Sequence, residues 1–273
     1  MKTIAVINQK GGVGKTTTAV NFGAALARMG RRVLLLDMDP QANLSLHLDL
    51  RPELEAKNMT NLLVDGAALG ELVRPTGTER LWAVPADTSL NGVEQVLANR
   101  IGRETILREA LEPLIAARSY DFVVIDCPPA LGVLSANALV AAQEVIIPVQ
   151  PEYFALQGMA KLMEVIELVR RRLNPVLRVA RILPCIVDQR TRLTAEVLAE
   201  IRGHFGPLVA QSMIRANVKL AEAPSFGHTI FQHAPESNGA QDYLAFAAEY
   251  LGVDAAMPQT PAQAGAEEHA AEA

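Results

Sequence analysis

Two lysines bracket a run of glycines in Gln9-Lys10-Gly11-Gly12-Val13-Gly14-Lys15-Thr16-Thr17. Glycines let backbone N–H groups close around an anion and adopt positive φ, so the loop is built for phosphate. In such a loop Lys15 reaches the β- and γ-phosphates of a nucleotide, and the Thr16 hydroxyl ligates Mg²⁺. Three acids supply the complementary charge: Asp37 and Asp39 in Leu34-Leu-Leu-Asp37-Met-Asp39-Pro40-Gln41, and Asp126 at the end of Phe122-Val-Val-Ile-Asp126. In an extended chain, positions 37 and 39 fall on one side. Carboxylates gathered so closely need a cation, and Mg²⁺ with two lysines provides one. An acid ending an apolar strand holds Mg²⁺ through water in phosphate-loop enzymes.

The elements that must position these groups are legible. Thr3–Asn8 reads as a buried strand. Residues 16–29, with Ala19, Phe22, Gly23, Leu26 and Ala27 at helical spacing, read as an amphipathic helix ending at Gly30. Strand, glycine loop and helix in that order distinguish a phosphate loop from a flexible glycine turn with two solvated lysines. Further apolar runs at 32–37, 80–85, 121–126, 144–149 and 179–184 alternate with helical patterns. That alternation predicts an α/β fold, a mostly parallel sheet with helices on both faces. Residues 1–252 form one domain on this reading, and 253–273, rich in Ala, Gln, Glu and Pro, form a disordered tail.

The chain has 273 residues, half of them hydrophobic, enough for one α/β core. Its two cysteines, Cys127 and Cys185, make no CxxC pair, which argues against a disulfide scaffold or a thiolate metal site within one chain. Cys127 reads as a small packed residue. No signal pattern or apolar stretch of about 18 residues is present, which predicts a cytoplasmic protein without membrane attachment. The formal net charge of −5 conceals a basic segment. Residues 161–219 carry eleven Lys/Arg against five Asp/Glu, a net +6, while 254–273 hold four acids and no Lys or Arg. Local charge is what a phosphate backbone meets.

The glycine run is a variant of the Walker A pattern. Strict spacing would place a glycine at position 9, where Gln9 stands, and a lysine is added at position 10. A long cation at the loop's start points outward, where in a face-to-face dimer it could reach a second copy's phosphates as an arginine finger does. The Lys10–Thr17 form resembles the deviant Walker A of the ParA/MinD ATPases, which have a SIMIBI-type P-loop NTPase fold. That resemblance implies ATP and Mg²⁺ as ligands and a nucleotide-sandwich homodimer in which Lys10 acts in trans. The Asp37–Gln41 stretch resembles the family's first switch, implying that Asp39 positions the attacking water and Asp37 supports Mg²⁺ through water. Cys127-Pro128-Pro129-Ala130-Leu131-Gly132, after Asp126, resembles the second switch; its prolines would relay movement as a rigid unit.

Two more segments resemble the chromosomal ParA/Soj branch. They are Asp188-Gln-Arg190-Thr-Arg192-Leu193, and Asn217-Val-Lys219-Leu-Ala-Glu222-Ala-Pro224-Ser-Phe-Gly227 with Arg215 before it. The resemblance implies non-specific double-stranded DNA contacts at Arg190, Arg192, Arg215 and Lys219, an adenine contact at Asn217, a ParB-like activator and a nucleoid-associated protein that segregates chromosomes or plasmids. Phosphate neutralisation without base reading is the physical basis. MinD-type membrane attachment needs a C-terminal amphipathic helix, which the acidic, proline-containing tail does not resemble. The alternatives are a ParA-like ATPase positioning another cargo, and a P-loop metabolic or redox ATPase.

Overall fold

The computed structural model describes residues 1–50, 57–153 and 155–253. The tail expected from 253 onward therefore lies, from 254, outside the described residues. The described residues form one sheet of eight strands: β1 (Lys2–Val6), β2 (Val33–Asp37), β3 (Arg74–Pro75), β4 (Leu81–Val84), β5 (Phe122–Asp126), β6 (Glu144–Val149), β7 (Arg178–Val187) and β8 (Ile214–Arg215), in the order β3-β4-β2-β5-β1-β6-β7-β8. Only β3 runs antiparallel, against β4. It contains Pro75, which an edge tolerates because no ladder partner needs its missing N–H. At two residues each, β3 and β8 are too short to leave a periodic signal in the sequence.

The central strands are buried on both sides, as their continuous apolar runs require. Alternate residues feed two cores. Ala5, Leu34, Leu36, Val123 and Ile125 face one side, with helices Ile106–Ala116, Val133–Ala141 and Ala155–Arg172. Ile4, Val6, Val33, Leu35 and Val124 face the other, with helices Lys15–Arg28 and Asn238–Leu251. The first of those helices lies so close to β2 that a Cβ on Gly23 would fall 2.6 Å from Leu35 Cδ2. Any larger residue there would require Leu35 to repack.

Strand order matters most for function. β5 lies between β1 and β2, with Asp126 in register with Val6 on one side and with Asp37 on the other. The glycine loop leaving β1 and the carboxylates ending β2 and β5 therefore meet at one carboxyl edge, where open parallel sheets bind ligands.

Candidate nucleotide site

A cavity of about 640 Å³ opens at this edge. Its phosphate end is lined by Gly11, Gly12, Gly14, Lys15, Thr16 and Thr17. Gly12 (φ 76°) and Gly14 (φ 89°) hold the left-handed backbone that turns the loop's N–H groups inward. Val13, between them, is buried. Lys15 is buried too, and its Nζ donates to Lys10 O at 3.1 Å, folding the loop around its own lysine. Burial lowers its pKa from the usual lysine value, against the opposing pull of Asp126 and Asp39.

The three acids have different surroundings. Asp37 Oδ2 accepts from Ser45 Oγ at 2.7 Å and Ser45 N at 2.9 Å, and its Oδ1 accepts from Asp39 N at 3.2 Å. Burial pushes its pKa up to about 6, with those hydrogen bonds working in the other direction. Asp39 Oδ1 accepts from Gln41 N at 2.9 Å. Both oxygens of Asp126 are buried with no hydrogen-bond partner. Burial, then the Asp37 charge, drives its pKa well above the ordinary carboxylate value, with the nearby Thr16 hydroxyl working in the other direction. An orphaned buried carboxylate costs several kcal/mol unless something pairs it. Thr16 beside it supplies the hydroxyl that Mg²⁺ takes in a phosphate loop, so these residues fit a hydrated divalent cation. Asp37, expected to support that cation through water, accepts from Ser45 with Oδ2 and from Asp39 N with Oδ1.

Lys10 stands at the loop's outer edge, about half exposed, and pairs with the equally exposed Glu152. Its backbone N–H donates to Asn8 Oδ1 at 3.1 Å, and Asn8 in turn binds Pro148 O at 2.7 Å. The loop's entry is thus fixed while the Lys10 ammonium stays near solvent.

The far end of the cavity is lined by Arg215, Ala216, Asn217, Leu220, Pro224 and Tyr243. Asn217 caps helix Val218–Glu222, accepting from Lys219 N at 2.8 Å. Its amide Nδ2 has no partner among the described residues. Cys185 lies on the cavity floor, 3.8 Å from where a Gly14 Cβ would be. Its thiol is pushed up to about 12 by burial, and that of Cys127 well above its ordinary value by burial and then by Asp126. Both are packed, unreactive thiols.

Six of the eleven basic residues of the 161–219 segment lie in or just after β7 and β8, in two groups. Arg178 and Arg181 occupy the amino half of β7, paired with Glu144 and Glu249 on the side away from the cavity. Arg190, Arg192 and Lys219 lie past the carboxyl ends of β7 and β8, and Arg215 is the last residue of β8 and lines the cavity. Arg190 and Arg192 are 88% and 92% exposed, with local partners Asp188 and Glu196. Lys219 pairs with Glu222 at 2.8 Å. Arg215 differs: its Nη2 binds Asp242 Oδ1 at 2.6 Å, its Nε binds Oδ2 at 3.0 Å, and its backbone N binds Oδ2 at 2.9 Å. It pins β8 to helix Asn238–Leu251 as well as lining the cavity.

Sequence reasoning missed Ser45, Asp242, Tyr243 and Glu152. Each reaches the site from another part of the chain and belongs to no local motif; only Ser45, eight residues after Asp37, was within sight of one.

Comparison with known proteins agrees with this geometry. Residues 1–179 match a family model described as an AAA domain. The chain is 48% identical to the chromosome-partitioning ATPase Soj of Thermus thermophilus over 92% of its length and 96% of the relative's. It is 43% identical to the chromosome partitioning protein ParA of Myxococcus xanthus, over 95% and 90%. Among solved structures it resembles a cobyrinic acid a,c-diamide synthase from Mycobacterium smegmatis bound to ADP and magnesium, at 35% identity and a TM-score of 0.78, over 90% of this chain and 92% of that one.

Proposed function

The chain belongs to the ParA/Soj family of chromosome-partitioning ATPases, and from that premise we propose that it is an ATP-switched, DNA-binding homodimer whose hydrolysis step drives segregation of a chromosome or plasmid. The observation that carries the reading is adjacency. Arg190, Arg192 and Lys219 lie at the strand ends that also build the nucleotide cavity, so pairing two subunits across bound ATP joins two basic clusters into one surface.

In this reading the loop N–H groups and Lys15 hold the phosphates, and Asn217 faces the adenine. Thr16 and Asp126 hold Mg²⁺, which supplies charge neutralisation at the phosphates. Asp39 orients the attacking water: no protein donor reaches its Oδ2 among the described residues. Lys10 crosses to the second copy's nucleotide, as an arginine finger does. ATP then acts as a differential ligand, favouring dimer over monomer. A ParB-like protein bound at centromere DNA stimulates hydrolysis and releases the dimer, which places the protein on the nucleoid. Among the described residues no helix is long and apolar enough to cross a membrane.

Fluorescence anisotropy on a random-sequence duplex, with ATP, ADP or no nucleotide at two salt concentrations, tests this. Binding confined to the ATP state and weakened by salt is expected. Equal absence of binding in every state would turn the reading toward another cargo or, given the likeness to the synthase, toward a small-substrate enzyme.

A further inference from the structure

Helix Val133–Ala141 begins where the Cys127–Gly132 segment ends, and its N-cap, Gly132, has no side chain with which to cap it. The first N–H groups of a helix need an acceptor from elsewhere. One comes from 39 positions upstream: Glu94 Oε1 accepts from Val133 N at 3.0 Å. A carboxylate at that end also meets the helix's positive pole.

Gly132 has φ −104° and ψ −159°, a backbone open to any residue. What it provides is room. A Cβ there would fall 1.8 Å from Glu94 Oε1 and 2.8 Å from its Cδ. The glycine and the glutamate are one device.

The segment carrying Glu94 is also tied at its other end. Ala86 N donates to Ser45 Oγ at 2.8 Å, and that hydroxyl donates to Asp37 Oδ2. Residues 86–94 thus form a brace, joined through Ser45 to the Asp37–Gln41 segment and through Glu94 to the Cys127–Gly132 segment. Pro129, three residues before Gly132, lines the nucleotide cavity, and the adjacent Pro128 restricts the chain there.

We propose that Glu94 is a positioning residue for ATP hydrolysis: its carboxylate, accepting the Val133 N–H beside Gly132, holds the Cys127–Gly132 segment at the nucleotide and couples it through residues 86–94 to Asp37. Glu94 does not itself line the cavity. The inference rests on the proposed ATPase reading, in which the Cys127–Gly132 segment, resembling the family's second switch, moves with the bound nucleotide.

The test is single-turnover and steady-state hydrolysis by the full chain, with melting temperature measured in parallel. Glu94→Ala should lower kcat about tenfold, the scale of one lost charge-assisted hydrogen bond, with KM for ATP within about twofold. Glu94→Gln keeps an acceptor oxygen and should retain most of the rate. Gly132→Ala should match Glu94→Ala, and the double variant should be no worse than either, because both remove the same contact. A kcat for Glu94→Ala equal to wild type, a Gln variant as slow as the Ala variant, or losses that multiply would each overturn the proposal. So would a lowered melting temperature with unchanged kcat, the signature of a merely structural role. If Gly132→Ala fails to fold, the Ala and Gln variants of Glu94 decide alone. Lys15→Ala is run beside them. If it is dead while Glu94→Ala is normal, only the Glu94 assignment falls; if it turns over normally, the phosphate-loop reading falls and takes this inference with it.

Discussion

Lys10 and Glu152 form an ion pair at the entrance of the phosphate loop, each side chain 49% exposed. A pair so open to water is worth less than about 1 kcal/mol, so Lys10 is held in cis by a contact that a second copy's phosphates can displace. Lys15 already supplies the buried cation, and the two lysines are therefore separable. Lys10→Ala should bind ATP within a few-fold of wild type yet remain monomeric with it. Nucleotide titration alongside sedimentation velocity checks this, and an ATP-dependent dimer of the variant would remove Lys10 from the interface.

Much of this was legible beforehand because the signals are local. The loop from Lys10 to Thr17, the acids at 37, 39 and 126, and six of the eight strands are set by residues adjacent in sequence, where periodicity and spacing are informative. What escaped depends on strand order. That Asp37 is occupied by Ser45 follows from a turn whose geometry no spacing specifies. That Arg215 is bound to Asp242 needs a helix 27 residues later to lie against β8. The run of charge from 161 to 219 likewise could not show that Arg178 and Arg181 would end up toward the amino end of β7, with Arg190 and Arg192 beyond its carboxyl end.

Arg190 and Arg215 should consequently respond differently to substitution. Arg190→Glu should weaken DNA binding, lower the salt slope by about two for a dimer contacting one phosphate per subunit, and leave ATP-driven dimerisation intact. Arg215→Ala leaves the buried carboxylate of Asp242 with only the residue-215 backbone N–H as a donor and should cost about 1–2 kcal/mol, discounted for the partial exposure of the arginine. Thermal melts separate the two, and unchanged DNA affinity in the Arg190→Glu protein would refute that contact.

Two buried groups give the apo protein opposing pH dependences. Asp37 has a folded pKa of about 6 against 3.8 for a free carboxyl, so the native state binds the extra proton between those values. Its contribution therefore weakens stability as pH rises through that window. His47, which binds His228 O through Nε2, is held down at about 4 by burial against an ordinary 6.5. Its contribution is present above 6.5 and lost as pH falls toward 4. His47→Gln removes only the second effect, so its melting temperature relative to wild type should rise steadily from pH 7 to pH 5 in nucleotide-free buffer. Parallel curves would show that His47 is not the group responsible.

Asp39 and Asp37 sit two residues apart, but their removal disturbs the turn unequally: loss of the Asp39 side chain frees only Gln41 N. The turn after Asp39 is closed by its backbone, with Ala42 N donating to Asp39 O at 2.8 Å, and that bond survives loss of the side chain. Asp37→Ala would instead free both the N–H and the hydroxyl of Ser45 inside the core. Asp39→Ala should therefore bind ATP, dimerise and stay on DNA while hydrolysis falls by about 10²–10⁴, the range for loss of a proton-accepting or water-orienting group. Single-turnover hydrolysis measured on the DNA-bound dimer decides it. A variant that hydrolyses at the wild-type rate would move the water-positioning role to another residue, and one that fails to dimerise would mean that Asp39 shapes the interface before any chemistry begins.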